Sequence, residues 1–299
     1  MSANQRLATD HSLSTDAPQV VCRLCMDAGE KTVVISNFDR KLLKCRACGV
    51  AFLDPLPTVQ ELSTHFSDRY IKDEERLENT FTKSRDSVLS QVAARTKKRK
   101  NSGRILDIGC AGGHFLSHYF PSSDWEKFGV EPSKYASAKA AEKGIKMCEG
   151  QVLDANLPTA FFDVVTALDV VCYFARPQQE MEKIRRSLKP DGVLVIELPL
   201  AEAQIWRNST KLKQFVGGKG RSLTHCGHLY FFNQSSIDFL LHATGFRIAE
   251  FAPLPGNKQR RLYQDLVFDG YYTASRLLWQ TSGSRLMLGP NFLAVATPA

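Results

Sequence analysis

The sequence predicts an α/β fold, a parallel sheet with helices on both faces, preceded by a small module held together by a metal. Three observations predict it. Apolar strand-like runs alternate with helical segments from Arg104 onward, a glycine-rich turn follows the first of those runs, and two Cys-x-x-Cys pairs stand near the N-terminus. At 299 residues, 43% of them hydrophobic, the chain is long enough for one large domain with a substantial core and one small module.

The opening stretch, MSANQRLATDHSLSTD, lacks the apolar run of a secretory signal and reads as a disordered tail over residues 1–18. No segment is long and apolar enough to span a bilayer, which points to a cytoplasmic protein. Residues 19–57 form the small module. Cys22-x-x-Cys25 and Cys45-x-x-Cys48 are two short knuckles on either side of the strand-like Lys31–Ser36, and such a pair supplies four thiolates to one tetrahedral Zn²⁺. Four sulfur ligands leave no position for water, so the zinc of this ribbon is expected to be structural. Disulfides are disfavoured in a reducing compartment. The other four cysteines, Cys110, Cys148, Cys172 and Cys226, lack this spacing and read as buried small apolar residues.

Residues 58–100 read as a helical linker or lid, with Thr58–Tyr70 helical and the basic run Lys97-Lys98-Arg99-Lys100 at its end. A net charge of +8 beside a zinc module raises nucleic acid as an alternative partner. No aromatic residues interleave the run, and a solvated linker is the plainer reading, so nucleic acid is disfavoured.

The large domain, 101–299, opens with RILDIGCAGG. The strand Arg104–Ile108 turns through Gly109, Gly112 and Gly113 into a helix. Glycines permit a left-handed backbone and let a ligand lie directly on the main chain. The second strand, Lys127–Glu131, ends in a carboxylate able to accept hydrogen bonds from two vicinal ribose hydroxyls. Turn and acid together read as a nucleotide-cofactor site. A dinucleotide pyrophosphate calls for Gly-x-Gly-x-x-Gly, whereas the spacing here is Gly109-x-x-Gly112 with Asp107 just ahead. S-adenosylmethionine carries a sulfonium and an ammonium in place of phosphate, and an acid beside the glycines suits it better. Further strands follow at Ile145–Glu149, Phe162–Leu168, Gly192–Leu198, Gly245–Pro253 and Asn291–Pro298.

LDIGCAGG, VEPS (Val130–Ser133), FDVVTALDVV (Phe162–Val171) and SLKPDGVLVIELP (Ser187–Pro199) together resemble class I S-adenosylmethionine-dependent methyltransferases, over most of the chain from Gly103 onward. The resemblance implies a Rossmann-like seven-stranded sheet whose last strand runs antiparallel between its neighbours. It implies that Asp107, Gly109, Ala111 and Gly112 line the methionine end of the cofactor and that Glu131 holds the ribose. Gln151, Val152 and Asp154 fall where the family grips the adenine amine with an acid, a role Gln151 can take through its amide oxygen. Asp169 falls beside the methyl-transfer centre. Members often carry Glu-His three residues later, where this chain has Cys172-Tyr173.

CRACGVAFLDPLP, Cys45–Pro57, with the helix after it, resembles the N-terminal region of a group that includes sugar C-methyltransferases acting on nucleotide-linked deoxysugars. In that group the zinc module packs near the substrate cleft. After the fifth strand, on the rim where open α/β sheets bind ligands, the group has a Glu-His pair followed by aromatics. In THCGHLYFFN, Thr224–Asn233, His228 matches the histidine and Gly227 replaces the glutamate. His228 is thus the expected base and His225 the fallback, with structural histidines as the alternative. Tyr70 matches an aromatic position that closes over cofactor or substrate, with ordinary packing as the alternative.

Residues 200–235 read as a substrate loop whose Lys211, Lys213, Lys219 and Arg221 suit a phosphorylated, nucleotide-linked acceptor, or simply form a solvated face. Residues 257–289 read as a cap insertion with an amphipathic helix at Leu266–Trp279, packed on the domain or meeting a second copy or a lipid-linked substrate. The expected function is methylation, at carbon or oxygen, of a small-molecule acceptor: a sugar, glycan or natural-product precursor. The alternatives are an RNA methyltransferase and a non-catalytic cofactor-binding docking protein. Asp169-Val170-Val171-Cys172 replaces the Pro-Pro-aromatic motif of many adenine and amino-group methylases, which disfavours exocyclic base methylation.

Overall fold

The computed structural model describes residues 20–36, 39–58, 60–62, 74–208, 223, 227–257 and 262–299. The expected tail, Tyr70, His225, Cys226 and the loop cations Lys211, Lys213, Lys219 and Arg221 lie outside the described residues.

The large sheet has seven strands. β4 (Gly103–Ile108), β5 (Trp125–Glu131), β6 (Lys146–Glu149), β7 (Phe162–Leu168) and β8 (Leu188–Pro199) alternate with α2 (His114–Tyr119), α3 (Lys134–Glu142) and α4 (Pro177–Ser187). Two further strands, β10 (Phe246–Leu254) and β11 (Asn291–Pro298), complete the spatial order β10-β11-β8-β7-β4-β5-β6. The central strands pair in parallel, and β11 runs antiparallel between β8 and β10, as the resemblance implies. Central strands covered on both faces have no solvent side, so they read as continuous apolar runs such as FDVVTAL. Val164, Val165, Leu194, Val195 and Ile196 are fully buried.

The N-terminal module is a second, antiparallel sheet of β1 (Lys31–Ser36), β2 (Lys41–Cys45) and β3 (Ala51–Asp54). Its fourth strand, β9 (Tyr230–Phe231), comes from the segment read as a substrate loop and pairs Phe231 with Ala51 and Tyr230 with Phe52. The buried cysteines of the module join one apolar cluster with Leu106, Val165 and Ile196 of the large sheet. After β8, α5 (Ala201–Arg207) starts where the Ala201 amide donates a hydrogen bond to the Phe232 carbonyl at 2.8 Å.

The segment read as a helical linker is helical over α1 (Glu74–Arg99). Its Val88, Leu89, Val92 and Ala93 recur at helical spacing and pack with Ile105, Phe115, Phe120 and Val195. Lys97, Lys98 and Arg99 of the basic run therefore sit in the last turn of a docked helix, where the helix dipole favours cations, and Lys100 follows it. Lys97 lies over the Phe120 ring, Arg99 pairs with Glu250 at 3.0 Å and Lys100 with Asp191 at 2.6 Å. α6 (Gln234–Ala243) and β10 lead into the cap insertion, whose α7 (Leu262–Thr281) extends past Leu266–Trp279 at both ends. The Tyr272 hydroxyl donates to Gln91 on α1, and Trp279 is buried. No helix among the described residues is long and apolar enough to cross a membrane.

Candidate functional site

The carboxyl ends of β4, β5, β7 and β8 lie side by side in the sheet, and each carries an acid there: Asp107, Glu131, Asp169 and Glu197. The turn after β4 carries positive φ at Gly109 (+70°), Ala111 (+48°) and Gly113 (+75°); the left-handed positions therefore include Ala111. A Cβ on Gly109 would lie 2.7 Å from Val170, and one on Gly113 would lie 2.3 Å from Ile145. The protein's own packing thus demands both glycines. The acid that ends β5, Glu131, is bonded to this turn.

Glu131, almost fully buried, accepts hydrogen bonds from the Ala111 amide (3.0 Å) and the Ser133 amide (2.9 Å). It thereby ties the glycine-rich turn to the start of α3, which Ser133 caps. A carboxylate has about four acceptor sites, so two amides leave capacity for ribose hydroxyls. Burial pushes the Glu131 carboxyl up from its ordinary value. Asp107 accepts from the Thr166 hydroxyl at 2.6 Å, and burial drives its carboxyl up to about 7, against the opposing pull of that bond and of Arg85. Gln151, Val152 and Asp154 form the turn after β6, closed by the Asp154 amide on the Gln151 carbonyl at 3.0 Å, with Val152 buried and the two polar residues exposed.

Asp169 stands at φ +57°, its amide bonded to the Glu197 carbonyl at 2.8 Å. One oxygen lies 3.8 Å from the Arg85 guanidinium and the other 4.0 Å from His228 Nε2. His228 packs edge-on against Tyr173 at 4.9 Å between ring centres and lies 5.6 Å from Phe231. Its position is set by the next residue. The Leu229 amide donates to the Cys172 carbonyl at 2.9 Å, while the Leu229 carbonyl accepts from the Leu53 amide of β3 at 3.1 Å. Cys172, like Cys110, is buried as expected, whereas Cys148 is half-buried.

Arg85 was not legible in the sequence as a site residue. It enters the cleft from α1, buried, and forms a direct ion pair with the buried Glu197. Burial pushes the Glu197 carboxyl up, to about 7, and Arg85 pulls it back. The available signal was Glu197 itself, an acid inside the apolar strand VLVIELP, since a buried charge requires a partner. One guanidinium thus stands among four acids, and burial favours the neutral form of Asp107, Glu131 and Glu197.

Asp169, Cys172 and His228 bring their donor atoms within 4.8 Å of one another. The Asp169 oxygen is 3.9 Å from Cys172 Sγ and 4.0 Å from His228 Nε2, wider than the roughly 3.3–3.5 Å between ligands of a first-row ion at ordinary bond lengths. The Arg85 cation also faces the same carboxylate. The trio fits an acid and histidine pair better than a metal centre.

The four module cysteines form the other cluster. Cys22 and Cys48 Sγ lie 3.8 Å apart and Cys25 and Cys45 Sγ 3.6 Å apart. Zn–S bonds of about 2.3 Å in a tetrahedron place sulfurs about 3.8 Å apart, whereas a disulfide requires about 2.05 Å. The donor set and its spacing fit one zinc ion. Gln178 of α4 donates to the Leu24 carbonyl at 2.9 Å, which fixes the first knuckle on the large domain.

A family model described as a methyltransferase domain matches residues 79–250, more than half of the chain. Among curated proteins, the tRNA U34 carboxymethyltransferase of Desulfotalea psychrophila is 32% identical over 100 residues, covering 31% of this chain and 31% of that protein. The mitochondrial ubiquinone biosynthesis O-methyltransferase of Schizosaccharomyces pombe is 32% identical over 101 residues, covering 31% of this chain and 36% of that protein. The chain thus spans about a third of the length of these two relatives. Among solved structures, the fold is shared with a chain of the Haloferax volcanii complex between a methyltransferase activator and a methyltransferase. That match has a TM-score of 0.53 and 15% identity, and covers 81% of this chain and 99% of that one. It is shared too with a Thermotoga maritima SAM-dependent methyltransferase, with a TM-score of 0.50 and 19% identity, covering 78% of this chain and 98% of that one.

Proposed function

This chain belongs to the methyltransferase-domain family, and from that premise we propose that it transfers the methyl group of S-adenosylmethionine to carbon or oxygen of a small-molecule acceptor, a sugar, glycan or natural-product precursor. The observation that carries the reading is the juxtaposition of Glu131, tied to the glycine-rich turn, with Asp169 and His228 across the same strand ends. When bound, the cofactor supplies an activated methyl group with its leaving group attached. The chain's own residues then have two tasks, to align the acceptor and to remove its proton. Asp107 and the turn at Gly109, Ala111 and Gly112 would face the methionine end, Glu131 the ribose, and Gln151, Val152 and Asp154 the adenine. His228 would take the proton from the acceptor, and Tyr173 and Phe231 shield it from water. The four cysteines would hold a structural zinc that supports this wall of the cleft.

A second reading, methylation of RNA, draws on the tRNA-modifying relative. The basic run gives it little support, because Arg99 and Lys100 are paired with acids and Lys97 with an aromatic ring. Calorimetric titration of zinc-loaded protein with S-adenosylmethionine, S-adenosylhomocysteine and NAD tests the cofactor first. Binding of the adenosyl ligands alone, lost in Glu131→Ala, is expected. No adenosyl binding by folded protein overturns the enzyme reading in favour of a docking protein. Assays with nucleotide sugars and with tRNA then separate the two acceptor classes.

A further inference from the structure

Two acids share the Arg85 guanidinium, and they do so unequally. Glu197 is in direct contact with it, whereas the nearest Asp169 oxygen stands off at 3.8 Å. Glu197 is therefore the anchor of the guanidinium, and Asp169 meets it at longer range. The guanidinium still constrains where the Asp169 carboxylate points, since two nitrogens of one rigid plane face two acids. Asp169 also needs that constraint. Its backbone sits in the left-handed region, sparsely populated by residues with side chains, and is held there by its amide bond to the strand that carries Glu197. With one carboxylate oxygen turned toward Arg85, the other faces His228 Nε2.

We propose that Arg85 is a positioning residue of the transfer site: anchored on Glu197, it aims the carboxylate of Asp169 at His228, so that the imidazole is oriented as base and its charged form is stabilised once it has taken the acceptor proton. The inference rests on the methyltransferase reading for its purpose. The role assigned to Arg85 runs through Asp169 and not through contact with cofactor or acceptor. Among the described residues, the charged and titratable groups around the pair include Arg85 from α1, Asp107 from β4, Glu197 from β8, and Cys172 and Tyr173 from the turn after β7. Removal of a nearby cation by itself raises a histidine pKa, whereas loss of an aimed carboxylate lowers it. The two effects have opposite signs, and a substitution that keeps the charge isolates the second.

The test is an NMR titration of histidine-labelled, zinc-loaded protein, with the His228 signal assigned through His228→Gln. In Arg85→Lys, which keeps the charge but loses the planar fork, the His228 titration is expected to fall by about half a pH unit or more, and likewise in Asp169→Asn. An unchanged or raised His228 titration in a folded Arg85→Lys protein overturns the proposal. Glu197→Asp, which keeps the charge but withdraws the anchor from the guanidinium, gives a second reading should the lysine variant not fold. A fall supports the proposal, and no change overturns it. Calorimetry with S-adenosylmethionine on the same samples reports the methyltransferase reading separately. Titration shifts in the variants together with no cofactor binding by the wild-type protein retain the positioning device and lose the enzyme reading.

Discussion

Asp107 lies where water cannot stabilise its charge, and that has a measurable sign. Burial raises its carboxyl from 3.8 in the unfolded chain to about 7, and Glu131 and Glu197 shift the same way. A group raised on folding contributes stability below its unfolded pKa that is lost as pH rises through the folded one. The ligand-free protein is therefore expected to lose stability from about pH 4 to pH 7 through these acids, as thermal melts across that range would show. A cationic cofactor reverses the preference by favouring ionised Asp107. Its affinity is expected to tighten by about tenfold from pH 6 to pH 8, with proton release measurable by calorimetry in buffers of different ionisation enthalpy. Gly113→Ala is expected to cost about 2 kcal/mol or more in denaturant unfolding, because the new Cβ meets both Ile145 and α3 in a backbone unsuited to alanine. Cys22, Cys25, Cys45 and Cys48 were legible because their metal-ligating pattern is local in sequence. Arg85 was not, because a lone arginine in a polar helix acquires its meaning from Glu197, more than a hundred residues away.

At the scale of elements, the apolar runs of β4, β7 and β8 were legible because strands buried on both faces must be apolar throughout. β9 was not, since a two-residue strand has no period of its own and exists through its pairing with β3. That pairing is also what joins the ribbon to the cleft. Leu229 is held between Leu53 and Cys172, so the residue before it, His228, is placed by both modules at once. Cys45→Ser is expected to lose one bound zinc per chain by metal analysis and to speed hydrogen exchange at the amides of Leu53 and Leu229. Unchanged exchange at those amides would show that the knuckles do not support β9. The basic run illustrates a different limit. Its composition was plain, but its engagement with Glu250, Asp191 and Phe120 depends on how α1 docks.

At the scale of the whole molecule, the N-terminal cysteine module and the large sheet share one apolar cluster, from Cys22 and Phe52 to Leu106 and Ile196. Elements that share a core unfold together. Zinc-loaded protein is expected to melt in a single calorimetric transition whose midpoint falls when a chelator is added. Two separate transitions in the loaded protein would contradict that continuity. The same continuity bears on attempts to trim the chain. Truncation before residue 58 would strip β9 of β3, baring an edge of unpaired backbone flanked by Tyr230, Phe231 and Phe232, all fully buried in the intact fold. Exposed aromatic edges recruit further chains, so the shortened protein is expected to self-associate and precipitate rather than persist as a smaller soluble catalyst.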